Sequence, residues 1–331
     1  MVLRPQAVVL NDTSTRYHHG CSRVMRLLLR GLDEAGVEVT ARSPARADWA
    51  RDEAFLRALR RAQVVVINGE GTLHDGAPMG ARLLSVLDHP DAAGKPVALV
   101  NALWQDNPPE WDDWLRRLAL AAARDSGSAE VFRRVRGEGR WGPDLSLSAP
   151  SEVAGVSRRG LVVGDSVKFG ARRHLARAAQ RLGACYVPTK TLRHGIWEVG
   201  IARSLLWRGY NGVWTGRVSD FEMPRDEGAY LARLARAEGH VTGRFHAVCL
   251  SMLTGTPVLA LASRTSKIER LLRDAGLGDS RLLGPEALER LTPQEAARPF
   301  SKAERATVAA FLTQARTEAR RLFADIRGLC E

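Results

Sequence analysis

Four segments of the sequence combine charged, histidine and glycine residues in patterns that could do chemistry. The first follows an apolar run near the N-terminus and carries Asp12, Thr13, Arg16, His18 and His19. Turn formation and helix capping explain the short polar residues at its start. They do not explain an arginine and two histidines in the same loop. This segment is therefore predicted to contact a ligand, although adjacent histidines can equally be surface residues.

The second segment is glycine-rich and follows an apolar run at residues 64–67. Gly69 and Gly71 flank Glu70, and His74 comes three residues after the second glycine. Backbone N–H groups in such a loop can bind an anion. The carboxylate can act as an acid, a base or a hydrogen-bond acceptor. A glycine-rich turn with a capping acid is the alternative interpretation.

The third segment contains Asp144, which follows Pro143 next to a stretch rich in proline, glycine and serine. A carboxylate at this position could serve as a base or a nucleophile. A single aspartate after a proline can also be an ordinary turn residue.

The fourth segment, in the second half of the chain, places Gly243, Arg244 and His246 at the predicted start of a helix. An arginine next to a helix N-terminus is suited to bind a phosphate or a carboxylate. Other residues are expected at the same edge of the sheet, because they also follow predicted strands: Asp165, Ser166, Arg264, Ser266 and Lys267. The sequence thus predicts a site for an anionic donor in this half.

These segments require strands that alternate with helices. Short apolar runs at residues 7–10, 37–40, 64–67 and 97–100 alternate with helical patterns, and the alternation starts again at residues 161–163. Such a pattern predicts an α/β protein with parallel sheets. We expect one domain over residues 1–150, on the acceptor side, and another over residues 151–331, on the donor side, ending in a long helix. Two halves facing a central cleft would bind ligands at the carboxyl ends of their strands.

Composition excludes several classes of protein. The chain has 331 residues and a net charge of +12, but aromatic residues make up only 6% and are not interleaved with basic runs. Nucleic acid is therefore not an expected partner. No pair of cysteines has metal-ligand spacing and no metal-binding acidic motif stands out, so neither a metal nor another cofactor is predicted. The absence of a long apolar run predicts a cytoplasmic protein.

The residues in these segments resemble the polysaccharide pyruvyltransferase family. The resemblance rests on Gly-Glu-Gly-Thr-Leu-His ending at His74, on Arg-Asp-Ser at residues 124–126, on Pro-Asp-Leu around Asp144, and on Gly-Arg-Phe-His-Ala from Gly243 followed by Gly-Thr-Pro-Val. It implies two Rossmann-like domains of the glycosyltransferase-B type. It also implies transfer of a pyruvyl group from phosphoenolpyruvate to a sugar of a cell-surface polysaccharide, such as exopolysaccharide, lipopolysaccharide or capsule, or of its precursor.

By this resemblance Arg244 and His246 would bind or protonate the acidic donor, and Glu70 or Asp144 would deprotonate a sugar hydroxyl. The same architecture resembles glycosyltransferases that use a CMP-activated acidic sugar of the Kdo or sialic acid type, which is the alternative. A sugar- or anion-binding module without activity is a third. A lipid-linked acceptor would bring the protein to the inner face of the cytoplasmic membrane, as a peripheral partner of that surface.

Overall fold

The computed structural model describes residues 4–153, 156–262 and 265–331. The chain divides into two compact units, and it passes from one to the other at four points. Unit 1 comprises the described parts of Met1–Arg16, Val24–Ser148 and Thr313–Glu331, and unit 2 comprises Tyr17–Arg23 and the described parts of Ala149–Leu312. The C-terminal helix, expected to close the second domain, therefore contributes its last part to unit 1, and seven residues near the N-terminus belong to unit 2.

The strands and helices alternate along the chain. The strands are β1 (Gln6–Asp12), β2 (Glu38–Pro44), β3 (Val64–His74), β4 (Val97–Gln105), β5 (Leu120–Ala123), β6 (Arg140–Trp141), β7 (Leu161–Ser166), β8 (Cys185–Tyr186), β9 (Gly239–Gly243), β10 (Val258–Leu261) and β11 (Leu282–Leu283). The α-helices are α1 (His19–Glu34), α2 (Glu53–Arg61), α3 (Pro78–Leu84), α4 (Trp111–Arg117), α5 (Ser126–Arg136), α6 (Phe169–Leu182), α7 (His194–Trp197), α8 (Gly200–Tyr210), α9 (Glu227–Ala235), α10 (Phe245–Leu253), α11 (Lys267–Asp274), α12 (Pro285–Arg290), α13 (Pro293–Ala296) and α14 (Lys302–Gly328).

Unit 1 is built on a six-stranded parallel sheet in the order β2-β1-β3-β4-β5-β6. Both faces of this sheet are covered. Val8 and Leu10 of β1 pack in one apolar cluster, whereas Ala7 and Val9 pack in another. Successive side chains of a strand point to opposite faces, so a strand covered on both sides needs a continuous apolar run.

Unit 2 is built on a five-stranded parallel sheet in the order β11-β10-β9-β7-β8. The strands β7 and β9 are neighbours, and their last residues, Ser166 and Gly243, lie opposite each other. Consecutive parallel strands are joined through helices, which bring their carboxyl ends to one edge. The predicted fold class of two α/β halves with parallel sheets agrees with this topology.

Two strands differ from the sequence prediction in length. The apolar runs predict strands that end at residues 67 and 100, but β3 continues to His74 and β4 to Gln105. The polar segment with Glu70 therefore belongs to a strand and not to the loop after it. The pairing of β3 with β4 continues through this segment across an irregularity between Glu70 and Leu73. Hydrophobic patterning could not reveal the extension, because backbone pairing and not side-chain burial defines it.

Helix α14 is amphipathic, as its sequence predicts. Phe323 and Ile326 of its last part are buried in an apolar cluster of unit 1 that also contains Leu28 of α1. Within the described residues, no helix combines the length and the apolar character that a membrane crossing requires.

Candidate functional site

Three neighbouring strands of unit 1 carry a buried polar residue in the left-handed backbone region. Asn11 on β1, Glu70 on β3 and Asn101 on β4 have φ angles of 67°, 39° and 54°. All three side chains are buried. Non-glycine residues adopt positive φ only at a cost of about 1 kcal/mol or more, and such residues cluster at functional sites. The strained backbone marks this region of the sheet as a candidate site.

Glu70 is held by Asn68 of its own strand and by Thr13, which follows β1 directly. The hydroxyl of Thr13 donates a hydrogen bond to Glu70 Oε1, and Asn68 Nδ2 donates to the same oxygen at 3.4 Å. Asn11 Nδ2 in turn donates to the backbone carbonyl of Asn68 at 2.6 Å and to Thr72 Oγ1 at 3.2 Å. This network fixes the orientation of a buried carboxylate. The structure thus brings together Glu70 and Thr13, which the sequence placed in separate segments.

Asp144 belongs to a different buried pair in unit 1. Arg124 Nη1 lies 3.3 Å from Asp144 Oδ2, and both side chains are almost completely inaccessible to solvent. The other carboxylate oxygen accepts a hydrogen bond from the backbone N–H of Ser146 at 2.9 Å. These contacts stabilise the turn that begins at Asp144.

The remaining predicted residues of unit 1 have diverse surroundings. Asp12 is buried and binds Arg42 at 3.1 Å, while Arg16 is exposed. His74 Nδ1 pairs with the neighbouring Asp75 at 2.9 Å. Gly69 lies so close to β4 that a Cβ there would approach the Cβ of Ala102 to 2.7 Å. Gly71, the second glycine of the segment, is partly exposed.

In unit 2 the carboxyl ends of β7 and β9 hold a buried ion pair. Arg244 donates hydrogen bonds from Nε at 2.9 Å and from Nη2 at 2.5 Å to Asp165 Oδ2. Thr189 donates to Asp165 Oδ1 from both its backbone N–H and its hydroxyl, each at 3.0 Å. Burial alone would raise the pKa of Asp165, but the Arg244 guanidinium and the Thr189 hydrogen bonds hold this pKa below its usual value. The carboxylate therefore stays charged and fixes the arginine.

Three tyrosines interact electrostatically with this ion pair. Burial raises the pKa of Tyr186, Tyr210 and Tyr230 above the usual value for a phenol, so that all three are neutral hydrogen-bonding groups. Their hydroxyl groups are of the kind that binds oxygen-rich ligands. Sequence reasoning missed both these tyrosines and Thr189. These four residues belong to none of the motifs in the sequence, and it is the fold that brings them near Asp165.

The other predicted donor residues lie near the same sheet edge. Ser166 and Gly243 end adjacent strands, and a Cβ on Gly243 would come within 2.7 Å of Ser166 Oγ. Ser266 and Lys267 stand at the start of α11, after strand β10. Arg264, the remaining predicted residue, lies outside the described part of the chain.

The histidines of the first segment meet the fourth segment within unit 2. His18 and His246 are buried, and their rings contact edge to face with centroids 5.4 Å apart. His19 is also buried, and it stacks on Tyr230 at 4.8 Å. Burial lowers the pKa of His19 to about 4, so this ring is neutral at pH 7. His18 and His19, which the sequence predicts for the acceptor side, thus belong to the same unit as His246, which it predicts for the donor chemistry.

Comparison with solved structures shows similarity over nearly the whole chain. UDP-GlcNAc 2-epimerase from Neisseria meningitidis, solved with UDP-GlcNAc bound, has a TM-score of 0.56 at 8% identity; the match covers 97% of this chain and 99% of that one. The UDP-forming α,α-trehalose-phosphate synthase from Burkholderia xenovorans, in complex with glucose-6-phosphate, has a TM-score of 0.53 at 13% identity, with coverage of 98% and 99%. At these identities the likeness concerns the fold, and it confirms the predicted class of two Rossmann-like domains of the glycosyltransferase-B type.

Sequence comparison gives the family. No curated protein has significant sequence similarity to the chain. The family model described as polysaccharide pyruvyl transferase matches residues 18–265, a range that includes Glu70, Asp144, Asp165 and the Arg244–His246 segment. This range is well over half of the chain and confirms the resemblance found in its motifs. The protein therefore belongs to the polysaccharide pyruvyl transferase family of transferases.

Proposed function

We propose that this protein transfers the pyruvyl group of phosphoenolpyruvate to a saccharide and forms a ketal. The observation that carries the proposal is the buried Arg244, which Asp165 fixes at the edge of the unit 2 sheet. Among the described residues, its two hydrogen bonds to Asp165 use Nε and Nη2 and leave Nη1 for a ligand. An arginine oriented in this way binds a carboxylate or phosphate oxygen without reorganisation.

The surroundings of Arg244 suit a donor with two anionic groups. Helix α10 starts directly after Arg244, and its N-terminal N–H groups favour an anion. Ser166, Lys168 and the start of α11 contribute further hydroxyl and ammonium groups from neighbouring strand ends. Phosphoenolpyruvate carries a carboxylate and a phosphate on the same carbon, and a CMP-linked acidic sugar also carries both groups.

In the proposed reaction two saccharide hydroxyl oxygens bond to the central carbon of phosphoenolpyruvate. The bond between this carbon and the phosphate oxygen breaks, and phosphate leaves with one of the two hydroxyl protons. The methylene carbon receives the other proton and becomes the methyl group of the ketal. His246, at the start of α10, is our candidate for the proton donor. Arg244 stabilises the charge that develops on the donor.

A carboxylate is proposed to remove the proton of the attacking hydroxyl. Glu70 is the preferred candidate because it lies within β3 on strained backbone, where functional residues concentrate. Asp144 is fully buried against Arg124, which favours a positioning role for it. The acceptor contacts expected from Asp12, Thr13, Arg16, His18, His19, Gly69, Gly71 and His74 stay predictions.

Turnover with defined donors tests this proposal. The full chain is incubated with phosphoenolpyruvate and a panel of saccharides, and phosphate release and the mass of the saccharide are followed. We expect phosphate release coupled to a saccharide that has gained a pyruvyl ketal. We expect Arg244→Lys to reduce the rate by about 10²–10³-fold, as loss of one charge-stabilising contact does. The exposed Arg133→Lys is the matched control.

Other outcomes of the same assay identify the alternatives. Release of CMP from a CMP-activated acidic sugar, with no use of phosphoenolpyruvate, would contradict pyruvyl transfer and support glycosyl transfer. Binding of either donor without turnover on any acceptor would support a binding module and contradict both enzymatic readings.

We further propose that unit 2 docks on the anionic inner face of the cytoplasmic membrane, where a lipid-linked acceptor would lie. Within the described residues, the large apolar side chains that are exposed all fall between residues 167 and 213, and Ile201 and Leu205 of α8 are 79% and 64% exposed. The surface of a soluble protein rarely carries a patch of exposed apolar side chains unless the patch binds a partner.

The charges beside these apolar residues favour an anionic lipid surface as the partner. Arg172 stacks on Trp214 at 4.5 Å, Arg173 lies over Phe169 at 5.3 Å, and Arg208 is exposed on α8. Basic and aromatic residues around an apolar patch are typical of proteins that lie on membranes.

Sedimentation with vesicles tests this location. We expect the protein to bind vesicles that contain phosphatidylglycerol and not vesicles of phosphatidylcholine alone, and we expect Ile201→Asp with Leu205→Asp to abolish binding. Ala202→Asp with Ser204→Asp controls for the added charge. Equal binding of both double variants, or failure of the wild type to sediment with anionic vesicles, would contradict the proposed docking.

A further inference from the structure

Three potential metal ligands that are far apart in the sequence meet inside unit 2. His18, Cys21 and His246 each offer a nitrogen or sulfur atom, and these atoms all lie within 4.8 Å of one another. The three residues are buried. We propose that they form a binding site for a divalent transition-metal ion of the Zn²⁺ class. This inference does not rest on the proposed function, because the three side chains would bind the ion whichever donor the protein uses. His246 would bind the ion through one ring nitrogen, which leaves only its other ring nitrogen to carry the proton of the proposed reaction.

The backbone holds these side chains together. His18 immediately precedes α1 and Cys21 lies in its first turn, while His246 lies in the first turn of α10. Gly20 allows the two helix starts to approach, since a Cβ at this position would come within 2.2 Å of the Cβ of His246. The backbone N–H of His19 donates to the carbonyl of Thr189 at 3.1 Å and anchors α1 in unit 2. The ligands are therefore placed by packing.

The chemistry of the three side chains indicates which ion they would bind. Two imidazoles and one thiolate form a mixed nitrogen and sulfur set, which Zn²⁺ accepts in tetrahedral sites at bond lengths of about 2.0–2.3 Å. Magnesium and calcium require oxygen ligands and do not fit. Ligand atoms on a tetrahedral ion lie about 3.5 Å apart at these bond lengths, so small side-chain rotations would bring all three onto it. Three protein ligands leave a fourth position for water or a substrate oxygen.

Negative charge for a bound cation would come from the thiolate ligand and from Asp226. A thiolate at Cys21 would lie in the first turn of α1, and the N-terminal end of a helix stabilises negative charge. Asp226 acts electrostatically on the neighbouring His19. The other two carboxylates that act on His19 are paired with arginines, Asp165 with Arg244 and Glu227 with Arg23.

Metal binding can be measured without an activity assay. The purified full chain is freed of metal with a chelator and titrated with Zn²⁺ or with Co²⁺ as a spectroscopic probe. We expect one ion per chain, and with Co²⁺ we expect the thiolate-to-metal charge-transfer band and the d–d bands of a tetrahedral site. We expect Cys21→Ser to remove the charge-transfer band and to weaken Zn²⁺ binding by more than the about 10–100-fold typical of an outer-shell change.

Two matched variants separate this site from adventitious binding. Cys330→Ser and His174→Gln make the same kinds of change outside the cluster, and we expect both to bind Zn²⁺ as the wild type does. The unfolding midpoint of metal-free Cys21→Ser, equal to that of the metal-free wild type, shows that the variant is folded. If metal-free Cys21→Ser unfolds at a lower midpoint than the metal-free wild type, His246→Gln takes its place as the ligand variant.

Three outcomes would overturn the inference: binding of less than one ion per chain, a Co²⁺ spectrum without thiolate character, or unchanged binding in both ligand variants. Failure of the proposed function is a separate result. One ion bound per chain with no turnover of phosphoenolpyruvate contradicts pyruvyl transfer only, whereas turnover in a chain that binds no ion contradicts the metal site only.

Discussion

At the scale of single residues, the candidate sites depend on side chains that are fixed before any ligand arrives. Glu70 is fixed by Thr13 and Asn68, and Arg244 is fixed by Asp165. Such preorganisation lets charged groups act on a substrate without the cost of reorienting them. Gly20 also helps to fix a side chain, because the absence of a Cβ lets the start of α1 pack directly against His246.

Gly20 provides a test of this close packing. We expect Gly20→Ala to destabilise the protein by about 1–3 kcal/mol, because its Cβ would overlap the side chain of His246. Gly170 is the matched control, since it is likewise the second residue of a helix and a Cβ there meets nothing within 4 Å. Urea unfolding measures both changes. Equal stability of the two variants would contradict the contact between α1 and α10.

The sequence predicted part of the candidate site. The segments around Glu70 and Arg244 could be found because glycine, charge and histidine coincide at predicted strand ends. Asn101, Thr189 and the tyrosines could not be found, because a buried hydroxyl or amide carries no local pattern. The proposed metal site could not be anticipated either, because Cys21 and His246 are distant in the sequence and no spacing rule connects them.

At the scale of elements, helix α14 is anchored at its start by a charged capping interaction in unit 2. Ser301 and Glu304 bond to each other's backbone N–H groups, and Arg281 donates to Glu304 Oε1 at 2.7 Å. Hydrogen bonding by Arg281 lowers the pKa of Glu304 to about 2, from a usual value of 4.5.

This capping interaction is expected to depend on pH. A lowered pKa means that Glu304 stabilises the folded state fully above about pH 4.5, and that this contribution is lost as the pH falls towards 2. We expect Glu304→Gln to lose about 2 kcal/mol at pH 7, a usual value for hydrogen bonds to a charged group, and much less near pH 2. Glu53→Gln, in the first turn of α2, is the control. A difference that does not depend on pH would refute the assignment.

Element types were more predictable than element limits. Apolar runs located β1 and β7, because buried parallel strands need them. The extensions of β3 and β4 begin at Asn68 and Asn101, and these polar residues interrupt that signal. The register and the irregular pairing of a strand depend on its neighbours in the sheet, and the sequence of one segment does not show which strands these are.

At the scale of the whole molecule, each of the two units is compact in space but is built from separate segments of the sequence. The segment Thr313–Glu331 returns to unit 1, where Phe323 packs on Gly31 so closely that a Cβ would lie 2.1 Å from its ring. A boundary inferred from composition near residue 150 marks only one of the four points at which the chain passes between the units. The returning helix makes unit 1 depend on the C-terminal residues.

Truncation of Phe323 measures that dependence. We expect Phe323→Ala to destabilise the protein by about 3–5 kcal/mol, since it removes a buried aromatic side chain from the apolar cluster of unit 1. Phe169→Ala removes an exposed ring and should cost about 0.5 kcal/mol or less. Thermal and urea unfolding would show the difference. Equal effects would mean that the end of α14 does not contribute to the core.

The central claim is that Arg244, fixed by Asp165, binds phosphoenolpyruvate for transfer to a saccharide. Calorimetric titration of the full chain with phosphoenolpyruvate and with CMP, in the wild type and in Arg244→Gln, tests it most directly. We expect the wild type to bind phosphoenolpyruvate and the variant to bind it at least about tenfold more weakly, which corresponds to a loss of about 1.4 kcal/mol. Binding of CMP without binding of phosphoenolpyruvate, or equal affinity in both proteins, would contradict the claim.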